Sequence, residues 1–172
     1  MKHVLPALLV SANVIAAPCV NSPAITTCRD GEIDSLTRTG LVDLKDIKVK
    51  GLTKVSGTLI AKNCGLAAIE VHGMSTIKTS KISDDSYFYG MLQANNSKFE
   101  GSLIINSKNA EIASSYTRSI RINSSNTATI NLKNSQINGD ITFVGSEGIV
   151  LCNEGCHISG KINHGILKTT GE

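Results

Sequence analysis

Two short strings in this chain carry side chains able to do chemistry. The first is Asp84-Asp85, followed by Tyr87-Phe88-Tyr89, where acids and aromatics gather. Paired carboxylates beside aromatic rings equip sugar-binding and glycoside-cleaving clefts. Asp84, Asp85, Tyr87 and Tyr89 are therefore the candidate carbohydrate-binding residues, on an excursion from the main fold. The competing reading is a long loop whose rings anchor it against the side of the fold. The second string is Cys152-Asn153-Glu154-Gly155-Cys156-His157. It is one residue longer than a c-type haem attachment, and with His164 it would supply part of a zinc site. Zinc asks for about four ligands, and haem for an apolar pocket with an axial ligand; the sequence offers neither set. A small disulfide loop at a bend accounts for the string without a metal. His72, His157 and His164 are scattered, and none has a partner in a recognisable nucleophile motif. The glycines are spaced along the chain and do not gather before a helix, so there is no phosphate loop. No catalytic residue, metal or cofactor is assigned, and the chain is read as not an enzyme.

What would position these strings is set by composition and pattern. The 172 residues suit a single domain with a real core. Hydrophobic residues make up 41%, but aromatics only 3%, and Trp is absent. A repetitive fold stacking thin layers of Val, Ile, Leu and Ala does without large rings; a compact enzyme cleft rarely does. The formal net charge is +3, or +2 once Lys2 is removed, with both signs interspersed. A nucleic-acid footprint would be denser, so no nucleic-acid partner is expected. Residues 1–16 read as a secretory signal: Lys2, an apolar run from Val4 to Val14, then Val14-Ile15-Ala16 before a new first residue, Ala17. The run is too short for a bilayer of ~30 Å, and no later segment is long enough either, so no transmembrane segment is expected in the mature chain. The expected location is the periplasm, the medium or the cell surface of a bacterium.

All five cysteines, Cys19, Cys28, Cys64, Cys152 and Cys156, lie beyond the leader, where disulfides are permitted. Short loops close at least entropic cost, which favours Cys19–Cys28 and Cys152–Cys156. Cys64 is left over, as a buried thiol or as a link between chains.

Residues 17–46 hold the remaining prolines and an acidic stretch from Asp30 to Asp34, and read as an N-terminal cap. From 47 to 172 short alternating segments recur, separated by Gly, Asn and Ser, the period-two mark of half-buried strands. One unit, apolar–polar–Gly–polar–apolar, appears as Val55–Leu59, Phe99–Leu103, Ile137–Ile141 and Ile158–Ile162. Its glycines, Gly57, Gly101, Gly139 and Gly160, are 44, 38 and 21 residues apart, which gives one turn or two turns of about 20 residues at each step. Second strands fall between them at Ala68–Val71, Ala110–Ile112, Ala128–Leu132 and Ile149–Leu151. The fold class predicted is all-β, a single short parallel β-helix of about five to six turns. Alternation places the unit's central glycine inward, where the coil bends.

These apolar-x-Gly-x-apolar units resemble the bactofilin family and wider polymer-forming β-helical proteins. The resemblance implies a ligand-free β-helix and self-association end to end. Bactofilins work in the cytosol or at its membrane face, so the leader argues against a cytoskeletal role. The function expected is an exported structural or interaction protein of the cell envelope or surface, self-associating or adhesive. The alternative is a carbohydrate-binding module or glycan-active enzyme built on the Asp84–Tyr89 region. The partners expected are the chain itself, through the coil ends, or envelope components. Ile166 and Leu167 either fold over the last turn and close it, or leave it open to another chain.

Overall fold

The computed structural model describes residues 18–170. The expected signal segment, 1–16, lies outside them. The fold is an all-β parallel solenoid of about nine turns. Five to six turns were expected from the glycine units; the difference arises because most turns are shorter than 20 residues. Neighbouring turns are offset by 16 residues at Lys62↔Lys78, by 17 at Ser86↔Leu103, by 18 at Leu92↔Ala110 and by 21 at Ile141↔Ile162.

Each turn has three faces. Face 1 stacks Gly65–Leu66, Lys81–Ile82, Lys98–Phe99, Tyr116–Thr117, Gln136–Ile137 and His157–Ile158. Face 2 stacks Ile69–His72, Ser86–Tyr89, Leu103–Ile105, Ile120–Asn123, Ile141–Val144 and Ile162–Asn163. Face 3 stacks Ser75–Lys78, Leu92–Asn95, Asn109–Ala113, Ala128–Lys133, Gly148–Asn153 and Gly165–Thr170. One residue in two points inward, as a pleated strand requires. Leu59, Ile69, Ile77, Leu103, Ile112, Ile141 and Val150 are fully buried in the resulting columns.

Left-handed residues make the corner between face 3 and face 1. There the chain turns at Asp30, Asp46, Asn63, Thr79, Asn96, Ser114, Asn134 and Glu154, all with φ between 43° and 56°. Asn and Asp tolerate this left-handed conformation best among non-glycine residues, and they fill most of the positions. Directly after this corner runs a column of small residues, Cys64, Ser80, Ser97, Ser115 and Ser135, all nearly buried. Each serine accepts the backbone N–H of the previous member: Cys64 N to Ser80 Oγ at 3.1 Å, Ser80 N to Ser97 Oγ at 3.2 Å, Ser97 N to Ser115 Oγ at 3.0 Å and Ser115 N to Ser135 Oγ at 3.2 Å. Each hydroxyl donates to the carbonyl two residues back, as Ser97 does to Asn95 at 2.8 Å. The ladder satisfies groups that the corner would otherwise bury unpaired. Ser97→Ala should therefore strand the Ser80 N–H and cost about 1–3 kcal/mol in denaturant melts. Ser83→Ala, at an exposed position, should cost under about 0.5 kcal/mol. Equal losses would contradict the ladder.

Cys64 heads this column. Its thiol lies 3.2 Å from the Lys62 carbonyl, and burial pushes its pKa up. Within this chain it is a buried free thiol.

The two ends differ. Parallel pairing begins at Ile25, with Ile25↔Leu41 and Cys28↔Leu44. Most of segment 17–46, expected as a cap, is thus already coil, because its Cys28, Leu36, Val42 and Leu44 supply the inward apolar positions. Among the described residues, the cap is Cys19–Asn21: it pairs antiparallel with Thr26–Cys28 and is joined to it by the Cys19–Cys28 disulfide. At the other end Gly165–Thr170 stacks in parallel on Gly148–Asn153. Ile166 and Leu167 therefore extend the coil and do not fold over it, and they stay 54% and 50% exposed.

Candidate functional site

The Asp84–Tyr89 string is neither an excursion nor a long loop. Asp84 and Asp85 form the tight corner between face 1 and face 2, and Ser86–Tyr89 is a face-2 strand in register with Ile69–His72. Period-two alternation buries Ser86 and Phe88 and leaves Tyr87 and Tyr89 outside, 39% and 43% exposed. Asp84 holds the corner through its backbone and Asp85 through its carboxylate. Asp84 N–H donates to the Ala67 carbonyl at 2.8 Å, and the Asp85 carboxylate accepts the Ser102 N–H of the next turn at 2.7 Å. Asp140 does the same for Lys161 N–H at 2.8 Å, three turns further on. Asp85 and Asp140 are corner staples for a backbone donor that the bend leaves free.

The tyrosines join a polar strip along face 2. Tyr89 stacks on His72 with ring centroids 4.3 Å apart and planes 3° from parallel. His72 Nε2 lies 2.9 Å from Glu70, and Lys54 Nζ lies 2.8 Å from the same carboxylate. Further along, Asn123 donates to Asn106 at 2.9 Å, and Arg121 to Asn123 at 3.3 Å. The stack occupies one face of the Tyr89 ring with His72. A sugar platform needs that face open, so Tyr87 is the better-placed of the two rings.

Face 1 carries the clearest ion-pair ladders. Lys48 and Lys50 share Glu32, and Lys81 and Lys98 share Glu100. Lys98 also sits 5.5 Å above the Tyr116 ring. Hydrogen bonds from Lys50 and Lys48 hold Glu32 below the usual carboxylate range, those from Lys98 and Lys81 lower Glu100, and those from Lys54 and His72 lower Glu70. A carboxylate with a lowered folded pKa stabilises the fold above its unfolded value, here near 4.5, and that contribution is lost as pH falls through the folded value. Urea midpoints should therefore be flat near neutrality and fall below about pH 4, by a modest amount because the pairs are exposed. A midpoint that rises on acidification would contradict these pairings.

Cys152 and Cys156 stand at disulfide distance across the Glu154-Gly155 corner. His157 points outward on face 1, while His164 sits at the face 2–face 3 corner with Nδ1 3.3 Å from the Phe143 carbonyl. The topology does not bring these histidines together with the cysteines. Among the described residues no group of three or more His, Cys, Asp or Glu could hold a metal ion, and no helix is long and apolar enough to cross a membrane.

No family model, curated protein or solved structure matches this chain. These comparisons give no support to the expected resemblance to bactofilins; the parallel β-solenoid fold alone is shown.

Proposed function

We propose that this chain is an exported, non-catalytic structural or interaction protein of the cell envelope or surface, whose working part is the rigid coil. The observation that carries this reading is the continuity of the columns. Inward residues stack from Cys28 to Val150, while the Asp85 carboxylate is spent on a corner and the Tyr89 ring on a stack with His72. Such a rod offers flat, polar, repeating faces, suited to contact with extended partners. The paired cysteines support an oxidising compartment.

A second reading, glycan binding on face 2, is favoured by Tyr87 and Tyr89 lying exposed on one strand. Cell fractionation with N-terminal sequencing and a glycan array tests both. The first reading expects an envelope or extracellular chain starting at Ala17, oxidised at Cys19–Cys28, and silent on the array. A chain that keeps Met1 in a reduced cytosolic fraction would overturn export. Array binding lost in Tyr87→Ala would establish the second reading.

A further inference from the structure

We propose that His72, Met74 and Met91 form a surface site for copper(I). The site goes beyond the structural reading above and depends only on the register of the coil, wherever the chain resides.

The register brings the two thioethers together. His72 pairs with Tyr89 on face 2 and Ser75 pairs with Leu92 on face 3, each pair 17 residues apart. Met74 and Met91 fall between these pairs at the same offset. They stand one above the other at the start of face 3, about 4.8 Å apart along the coil. The Ser75 N–H donates to the Met91 carbonyl at 2.8 Å, which fixes that step. Ser75 and Leu92 beside them are fully buried, so alternation turns both methionines outward, and each is 46% exposed. Methionine ordinarily fills gaps in a core. Here the two methionines beyond Met1 lie side by side at the surface, where they add nothing to the buried columns.

The third donor lies across a corner. His72 ends face 2, Gly73 makes the bend and Met74 opens face 3. Gly73 and Gly90 put no side chain on the ridge between the imidazole and the thioethers. The imidazole is already oriented. Its Nε2 lies 2.9 Å from Glu70, whose carboxylate is held ionised by Lys54 and can only accept. Nε2 therefore carries the proton, and Nδ1 keeps its lone pair. The two ring nitrogens point to opposite sides of the ring. With Glu70 two residues back along the strand, Nδ1 faces the side that leads to Met74. A histidine held by a carboxylate through its second nitrogen is the common arrangement of a metal ligand. Tyr89, stacked on the ring at 4.3 Å, fixes its plane.

The donor set selects the ion. Two thioether sulfurs and one imidazole nitrogen are soft, neutral ligands that suit copper(I). Magnesium and calcium take oxygen ligands, and zinc takes thiolate, imidazole and carboxylate.

Titration of the full, disulfide-bonded chain with copper(I) tests this, under ascorbate without added thiol and in competition with the chelator bicinchoninate. The expected result is one equivalent bound, with two sulfurs and one nitrogen around copper by X-ray absorption. Met74→Leu and Met91→Leu keep an exposed side chain of similar volume and should melt as the parent does. Each should weaken binding by at least the roughly tenfold that losing even a ligand's supporting partner costs. His72→Phe, which keeps a ring on Tyr89, should weaken it as much and remove the nitrogen from the spectrum. Cys64→Ser places serine in a serine column at a different corner and should leave binding intact. An equal concentration of zinc(II) should not displace the copper. No bound copper, full affinity in Met91→Leu, loss of binding in Cys64→Ser, or displacement by zinc would overturn the proposal.

Discussion

Gly73→Ala should unfold the coil or come close to it. Gly40, Gly57, Gly73 and Gly90 stack at the corner between face 2 and face 3, and at Gly73 the backbone has φ +141°. A Cβ placed there would lie 2.1 Å from the Gly57 carbonyl oxygen. That oxygen belongs to the backbone of the neighbouring turn and cannot swing away as a side chain could. The conformation alone costs about 1–3 kcal/mol for a side-chain-bearing residue, and relieving the overlap would pull adjacent turns apart. The total should exceed about 3 kcal/mol, a large share of a typical domain's stability. Gly65→Ala is the control. Its Cβ would meet only Lys48 Cγ, at 3.8 Å. It should be nearly neutral, within about 1 kcal/mol either way. Chemical denaturation of the two variants separates them, and similar midpoints would contradict the glycine column.

The second large effect is expected at Ile141→Asp. Ile141 is completely buried on face 2 between Ile120 and Ile162. Removing the side chain from its column forfeits roughly 1.5–3 kcal/mol of apolar burial. The carboxylate that replaces it would have no cation or donor beside it and would cost several kcal/mol more. Leu103→Asp, also fully buried and one column-mate away from Ile120, should behave alike. Thr142→Asp, one residue along, faces outward beside Asn163, whose amide donates to the threonine hydroxyl at 3.2 Å. An aspartate there keeps an acceptor for that donor and should cost under about 1 kcal/mol. Soluble yield and thermal melts read the contrast; equal damage at 141 and 142 would reject the assignment of inner and outer faces.

Alternation made the inward residues legible in the sequence. Phe99, Leu103, Ile137 and Ile141 were assigned to the interior by period two and are buried. Loop entropy pointed to Cys19–Cys28 and Cys152–Cys156, and those pairs stand together. The turn count was not legible, because the four glycine units do not share one column. Gly57 lies at the face 2–face 3 corner, on Gly40. Gly101, Gly139 and Gly160 lie at the face 1–face 2 corner, against Asp84, Arg118 and Gly139 respectively. Measuring a period from Gly57 to Gly101 therefore compares different bends.

The period also drifts. Early turns pass the face 2–face 3 corner with one glycine, while later turns spend Asn106–Lys108, Ser124–Thr127 and Gly145–Glu147 there. The serine ladder did leave a signal that hydropathy cannot register: Asn63-Cys64, Thr79-Ser80, Asn96-Ser97, Ser114-Ser115 and Asn134-Ser135, each a residue in a left-handed corner before a small hydrogen-bonding one. Likewise, the Tyr89–His72 contact depends on a 17-residue register that becomes visible only once the turns are counted.

Residues far apart in the sequence lie directly above one another in the coil. Ile60, Thr76, Gln93, Glu111, Asn131, Leu151 and Lys168 form one outer row of face 3, each paired with the next. Spin labels at Ile60 and Lys168 are thus six ladder steps apart, about 29 Å at roughly 4.8 Å per step. Pulsed dipolar spectroscopy should return a single distance near that value, with Thr76 to Lys168 shorter by one step. Distances that fail to shorten stepwise as the first label moves along the row, or a broad distribution, would contradict the coil and every reading built on it.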